Sequence, residues 1–235
     1  MVVQAQEGLL TTDTARVLVA TAVPAERDAV ARGLHDHPAG DTGTIDVIAV
    51  GVGPAAAAAG TATALTTAAL SGRRYTLVVS AGIGGAFAAP PGAILVADAI
   101  TAADLGAETP EGFLPVTELG FGTVTHRPPA SLVRDLAAAT RATVGTVLTV
   151  STVTGTAARA ALLRDRHPTA VAEAMEGFGV AEAAAAHGVP VAEIRTVSNA
   201  VGPRDRAAWR IGDALAALTD AFGKSAPVLE SWNQT

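Results

Sequence analysis

The chain has 235 residues, 49% of them hydrophobic and 16% charged, a balance that suits one packed domain and excludes a disordered regulator. Lys and Arg number 16 against 22 Asp and Glu, and the resulting charge of -6 repels nucleic-acid phosphates and anionic membrane surfaces alike. Cysteine is absent, which removes disulfides, thiolate catalysis and Cys-ligated metals; with no signal-peptide pattern at the start, the expectation is a cytoplasmic protein.

Residues 1–15 show no sustained period and end in a Thr/Asp cluster, so they are expected to form a flexible leader before a single domain over 16–235. From there, short apolar runs bounded by Gly, Pro or Asp read as buried strands: Val17–Thr21, Ile45–Val50, Leu77–Ser80, Ile94–Ala97, Val144–Val150 and Val191–Val197. Between most of them lie alanine-rich helical segments at Ala25–Leu34, Pro54–Leu70, Ser131–Thr140, Thr156–Arg164, Met175–His187 and Ala207–Phe222. Pro54 suits a first helical turn. Alternating strands and helices with no dividing linker predict a three-layer α/β domain, a central sheet flanked by helices on both faces. The longest apolar stretches are alanine-rich and far short of the roughly 20 residues that a membrane helix needs.

Ligands in such sheets bind beyond the carboxyl ends of strands. The expected loops there are Ala22–Glu26, Ala81–Phe87 and Ser198–Arg206, with the helix start Met175-Glu176 beside them. Ser80-Ala81-Gly82-Ile83-Gly84-Gly85-Ala86 lets backbone approach a ligand, yet it lacks the spacing of a dinucleotide fingerprint and of a P-loop, and a plain tight turn fits equally well. Glu26, after Pro24, suits either a helix-start acid or a general base that deprotonates water. Glu176 likewise suits a solvated helix-start acid or a ligand-binding carboxylate in an otherwise apolar segment. The run from Glu193 through Arg195, Ser198 and Asn199 to Arg206, closing at Trp209, interrupts an apolar strand with polar groups that need partners.

In order and spacing, Glu26, the Ser80–Gly85 stretch, Met175-Glu176 and Arg195–Asn199 resemble the purine nucleoside phosphorylase and methylthioadenosine nucleosidase superfamily, over about Val17 to Phe222. Within it the chain is most similar to the futalosine hydrolase family of menaquinone biosynthesis. The resemblance implies the nucleoside phosphorylase-like fold, with a mixed central sheet, and an N-glycosidic bond cleaved through an oxocarbenium-like transition state. It also implies a homodimer or higher homo-oligomer and no metal or organic cofactor.

The resemblance assigns roles as well. Glu26 would activate water, Glu176 would grip both ribose hydroxyls and Met175 would pack on the sugar. The backbone of Ile83, Gly84 and Gly85, together with Arg195 and Ser198, would bind substrate, Arg195 either directly or by holding Glu176. Trp209 would cover the nucleoside or else pack in the core. Asn199 stands where the adenine-releasing nucleosidases carry aspartate; its amide donates toward O6 or N7 of a 6-oxopurine such as hypoxanthine but releases no proton. Ala174 stands where those nucleosidases carry a glutamate before Met-Glu. Arg204 and Arg206, or His126 and Arg127 reaching across a subunit interface, are the candidates for the carboxylate on the substrate's 5′ arm. An acid at position 26 disfavours a dianionic nucleophile, so hydrolysis is expected over phosphorolysis, although the neighbouring Arg27 tempers that. A 6-oxopurine phosphorylase, a methylthioadenosine/S-adenosylhomocysteine nucleosidase and a non-catalytic nucleoside sensor stay as alternatives.

Overall fold

The computed structural model describes residues 16–35 and 44–232, so the expected leader lies outside the described residues. Ten strands and six helices follow in the order β1 (Val17–Thr21), α1 (Pro24–His35), β2 (Ile45–Ala49), α2 (Pro54–Leu70), β3 (Leu77–Ala86), β4 (Ile94–Ala102), β5 (Gly106–Thr109), β6 (Gly112–Pro115), β7 (Thr125–His126), α3 (Ala130–Thr140), β8 (Thr143–Thr149), α4 (Ala157–Arg166), β9 (Ala170–Ala174), α5 (Gly177–Ala186), β10 (Val191–Ala200) and α6 (Ile211–Glu230), with a single 3-10 turn at Arg206–Ala208 before α6.

The fold is mixed α/β, as expected. The main sheet runs β10-β4-β8-β9-β3-β1-β2, with β7 added to β4, and β10 pairs with β3 as well, so that β3, β10, β4, β8 and β9 close a circuit from which β1 and β2 extend. Closure is possible because β3 changes partner along its length. Leu77–Ser80 pair with β1, whereas Gly85 and Ala86 pair with β9 in the opposite sense, while β10 stays on the other side throughout.

Alternation along the strands sorts the core into two layers. Val17, Val19, Leu77 and Val79 pack toward α1, α3 and α6, against Val30, Leu136, Leu218 and Phe222. Leu18, Ala20 and Val78 face the other way and meet Ala57 and Leu65 of α2 and Val180 and Ala184 of α5. Alanine and glycine set how close those layers come. A β-carbon at Gly179 would run into the Pro54 carbonyl, so α5 lets the start of α2 lie directly against it.

Several expectations are corrected. The glycine-rich stretch is the second half of β3 rather than a loop; none of Gly82, Gly84 and Gly85 has a positive φ, so glycine serves close approach there and not a turn. Helix α5 starts at Gly177, placing Met175 and Glu176 before it, and Ser198–Ala200 belong to β10. Helix α6 begins four residues later than expected and runs on to Glu230. Strand β9 and the β5–β6 hairpin had no counterpart in the expected elements, because Ala170–Ala174 and Gly106–Pro115 lack the β-branched runs that mark a strand. No helix among the described residues is long and apolar enough to cross a membrane.

Candidate active site

A cavity of about 390 Å³ opens at the carboxyl ends of β1, β3, β8, β9 and β10. Glu26, Glu176 and Asn199 line it together with Ile83, Gly84, Gly85, Met175, Ser198 and Trp209, so the structure gathers nearly all the candidate residues around one space. Apolar walls come from Val23, Val52, Val153 and Val201.

Glu26 sits in the first turn of α1, but its carboxylate folds back over the end of β1. Oε2 accepts the N–H groups of Ala22 (3.0 Å) and Val23 (3.3 Å), and Oε1 accepts that of Ile83 (2.9 Å). It is only 4% exposed. Burial pushes its pKa up; the Arg195 charge and the N–H groups of Ile83 and Val23 oppose that rise, and neighbouring Glu176 adds to it. A raised carboxylate pKa brings a general base nearer to neutrality.

Behind the cavity wall lies a buried ionic cluster. Arg195 is fully buried; its Nε donates to Glu193 Oε1 (2.8 Å), Nη1 to Glu176 Oε2 (3.3 Å) and Nη2 to the Ser80 hydroxyl (3.0 Å). Burial by itself lowers a guanidinium pKa, but Glu193, Glu176 and Glu26 outweigh it and hold Arg195 charged. Glu193 is fully buried too, and burial raises its pKa against the pull of Arg195. Its carboxylate occupies the space that a β-carbon at Gly177 would need, against the positive end of α5. Gly82 performs the same service above: a β-carbon there would stand 2.6 Å from Glu26 Oε1 and 2.7 Å from Arg195 Nη1.

Arg195 is not among the residues lining the cavity; of its two expected roles, direct contact with substrate and support of Glu176, the buried position behind Glu176 fits the second. Glu176 is fixed from two further sides, Oε1 accepting the Gly53 N–H (3.2 Å) and Oε2 that of Met175 (3.3 Å). Gly53 reaches it with φ 89°, a left-handed conformation suited to glycine.

On the opposite wall, one extra residue bulges β10 between Val197 and Asn199, and Asn199 comes opposite Gly85. Asn199 Nδ2 donates to the Ala200 carbonyl (2.9 Å), which turns Oδ1 toward the Ser198 hydroxyl at 2.7 Å. Trp209 follows the 3-10 turn with the Arg204 guanidinium 5.6 Å and the Arg206 guanidinium 5.9 Å from its ring centre. Only Arg204 of that pair lines the cavity. Within one chain His126 and Arg127 do not reach it: His126 pairs with Glu182 at 2.6 Å, and Arg127 lines a separate cavity beside Arg166.

One charged lining residue was missed from the sequence. Glu173, 5% exposed, presents a carboxylate that accepts the Thr154 N–H (2.7 Å) and the Thr154 hydroxyl. The available signal was a lone acid between alanines two residues before Met175. Among the described residues no group of three or more His, Asp or Glu is placed to hold a metal ion.

The phosphorylase superfamily model matches residues 16–229. The chain is similar to futalosine hydrolase of Streptomyces coelicolor, 72% identical over 232 residues that make up 92% of this chain and 97% of the relative. It is also similar to futalosine hydrolase of Acidothermus cellulolyticus, 50% identical over 219 residues, 87% of this chain and 88% of that one. Among solved structures, a 5′-methylthioadenosine/S-adenosylhomocysteine nucleosidase from Colwellia psychrerythraea in complex with adenine superposes with a TM-score of 0.73 at 20% identity, covering 90% of this chain and 96% of the other. That likeness carries the fold, and the closer relatives carry the branch: the chain belongs to the phosphorylase superfamily and, within it, to the futalosine hydrolase family.

Proposed function

We propose that this chain hydrolyses the N-glycosidic bond of futalosine and releases hypoxanthine. The observation that carries the reading is the shared cavity of Glu26 and Glu176, two buried carboxylates gathered beside Arg195, in a chain 72% identical to a futalosine hydrolase. Glu176, held by Arg195, Gly53 and Met175, accepts the ribose hydroxyls and places negative charge beside the sugar as it becomes cationic. Met175 packs on the sugar. Glu26 takes a proton from the attacking water, and Asn199 donates its remaining amide N–H to O6 or N7 as electron density moves onto the leaving base.

Electrostatics favour water over phosphate. The lining carries Glu26, Glu173 and Glu176, and its one Lys or Arg is Arg204, exposed at the mouth. A dianion seated between those acids would meet repulsion at short range in a poorly screened site. An anionic group on the 5′ arm instead finds Arg204, and Trp209 covers the nucleoside from the same side.

The unit with this activity is the single domain from residue 16, and it works as a cytoplasmic homo-oligomer. Support for self-association comes from the segment before β7, where Phe121 is 69% exposed beside exposed Leu119.

Purified protein incubated with futalosine, inosine and methylthioadenosine, with and without phosphate, tests the reading. Hypoxanthine release from futalosine at a rate indifferent to phosphate is expected. Phosphate dependence would make the protein a phosphorylase, preference for methylthioadenosine would move it to the adenine-releasing branch, and stoichiometric binding without turnover would make it a sensor.

A further inference from the structure

Three positions stand side by side across the sheet. Asn199 on β10 is opposite Gly85 on β3, and Gly85 is opposite Glu173 on β9. Residues in lateral register on neighbouring strands project to one face, and strands lie about 4.8 Å apart, which spaces the backbones of Asn199 and Glu173 by about 10 Å. Glycine keeps the ground between them open. A β-carbon at position 85 would come within 3.2 Å of Asn199 Nδ2 and 3.0 Å of Val201 Cγ2.

Both flanking side chains line the cavity and both are pre-oriented. Asn199, with Oδ1 at the Ser198 hydroxyl and one N–H on the Ala200 carbonyl, has one amide N–H left to give. Glu173 receives two hydrogen bonds from Thr154, and a carboxylate has about four acceptor sites, so it can accept more. The slot thus presents a donor on one wall and an acceptor on the other, over a floor with no side chain.

A 6-oxopurine complements that pattern: it offers O6 and N7 as acceptors and N1–H as a donor. Adenine reverses the edge, with a lone pair at N1 and a donor amine at C6, and would set its N1 lone pair against a carboxylate. We propose that Glu173 is a specificity-determining residue that accepts the N1–H of a 6-oxopurine while Asn199 donates to O6 or N7. This deepens the nucleosidase reading above and rests on it for the identity of the base. Burial raises the Glu173 pKa while its Thr154 contacts and Arg159 pull it back, and an N1–H donor joins the groups that favour the ionised form.

Calorimetry with free hypoxanthine and 1-methylhypoxanthine, on the wild type, Glu173→Gln and Glu173→Ala, tests the assignment. The wild type is expected to bind hypoxanthine at least about tenfold more tightly than the N1-methyl form, because a site built around a donor rejects the analogue lacking it. Glu173→Gln should lose about tenfold to a hundredfold in hypoxanthine affinity, the range for a hydrogen bond to a charged group. In Glu173→Ala, where the methyl has room, the preference between the two bases should vanish. In kinetics, the ratio of kcat/KM for a 6-oxopurine nucleoside over its adenine counterpart should fall at least about tenfold in Glu173→Gln.

Equal wild-type affinity for the two bases overturns the proposal, and this arm needs no variant to fold. A Glu173→Gln protein that loses both nucleosides alike, or retains wild-type hypoxanthine affinity, overturns it too. A wild type that discriminates the bases yet cleaves no nucleoside would sustain the base assignment and sink the nucleosidase reading instead.

Discussion

Arg195 Nη1 lies 3.3 Å from Glu176 Oε2, and neither side chain is more than 8% exposed. The carboxylate proposed to grip the sugar is thereby tied to a cation buried away from the cavity. Because Arg195 also grips Glu193 and the Ser80 hydroxyl, Glu176 is held by a planar fork with each arm already engaged.

Removing that cation strands the acids around it. Arg195→Met should lower folding stability by about 3–5 kcal/mol, the usual cost of breaking a buried pair by deleting one partner. Arg195→Lys should recover only part of it, since one ammonium does not span Glu193, Glu176 and Ser80. Urea denaturation of the three proteins is the check, and a Met variant as stable as wild type would show the cluster to be dispensable.

Glu26→Gln should retain nucleoside binding and lose turnover by about 10²- to 10⁴-fold, the range for general base catalysis. The pH profile carries the sign. Burial sets the Glu26 pKa above its ordinary 4.5, so the ionised base disappears as pH falls through a midpoint higher than an exposed glutamate would give, and kcat/KM falls with it. Glu26→Gln should lack that acidic limb. Wild-type turnover by this variant would remove Glu26 from the mechanism.

Asn199→Asp should impair release of hypoxanthine at neutral pH. An ionised carboxylate there has no proton to donate, faces O6 lone pairs, and also loses the N–H now given to Ala200. Partial recovery in acid is expected, and hypoxanthine release measured from about pH 5 to 8 would show it. An unchanged rate across that range would mean that Asn199 does not touch the base.

Gly179→Ala tests the route by which helix packing reaches the site. The added methyl has no room beside the Pro54 carbonyl, so α2 and α5 must part, at about 1–3 kcal/mol for overpacking. Gly53 precedes Pro54 and would move its N–H away from Glu176 Oε1, so a lower melting temperature should come with a raised KM for ribonucleosides. A variant with lower stability and unaltered KM would uncouple the two.

Arg204→Ala should weaken kcat/KM for substrates with an anionic 5′ arm by about tenfold and leave inosine unchanged, as expected for a charge met only at the rim. Equal losses on both substrates would point instead to support of Trp209.

The parts of this molecule legible in the sequence were those with local signatures. Val17–Thr21 and Pro54–Leu70 have the same bounds in the fold as in the composition pattern, because a β-branched run and a proline-started alanine helix declare themselves. The gathering of Glu26, Glu176 and Asn199 was legible through resemblance. What stayed hidden depended on distant partners. Gly82, Gly84 and Gly85 read as a turn, since nothing local reveals that Glu26, Glu173 and Asn199 will crowd the backbone there. Glu173 escaped notice because its short alanine-rich strand gains its character only by pairing with β3 and β8.

The surplus residue in β10 has an evolutionary reading. Upstream of Ser198 the strand carries Glu193 and Arg195, fully buried and paired with each other; downstream it carries Asn199, whose neighbours Ala200 and Val201 are small or partly exposed. In unbroken register Ser198 would oppose Gly85 and Asn199 would oppose Ala86. The interruption therefore divides one strand into a half whose Glu193 and Arg195 are sealed behind Glu176 and a half whose Asn199 faces the cavity. Descendants of such a scaffold could exchange one leaving group for another by substitutions after the bulge, without disturbing the buried charges before it.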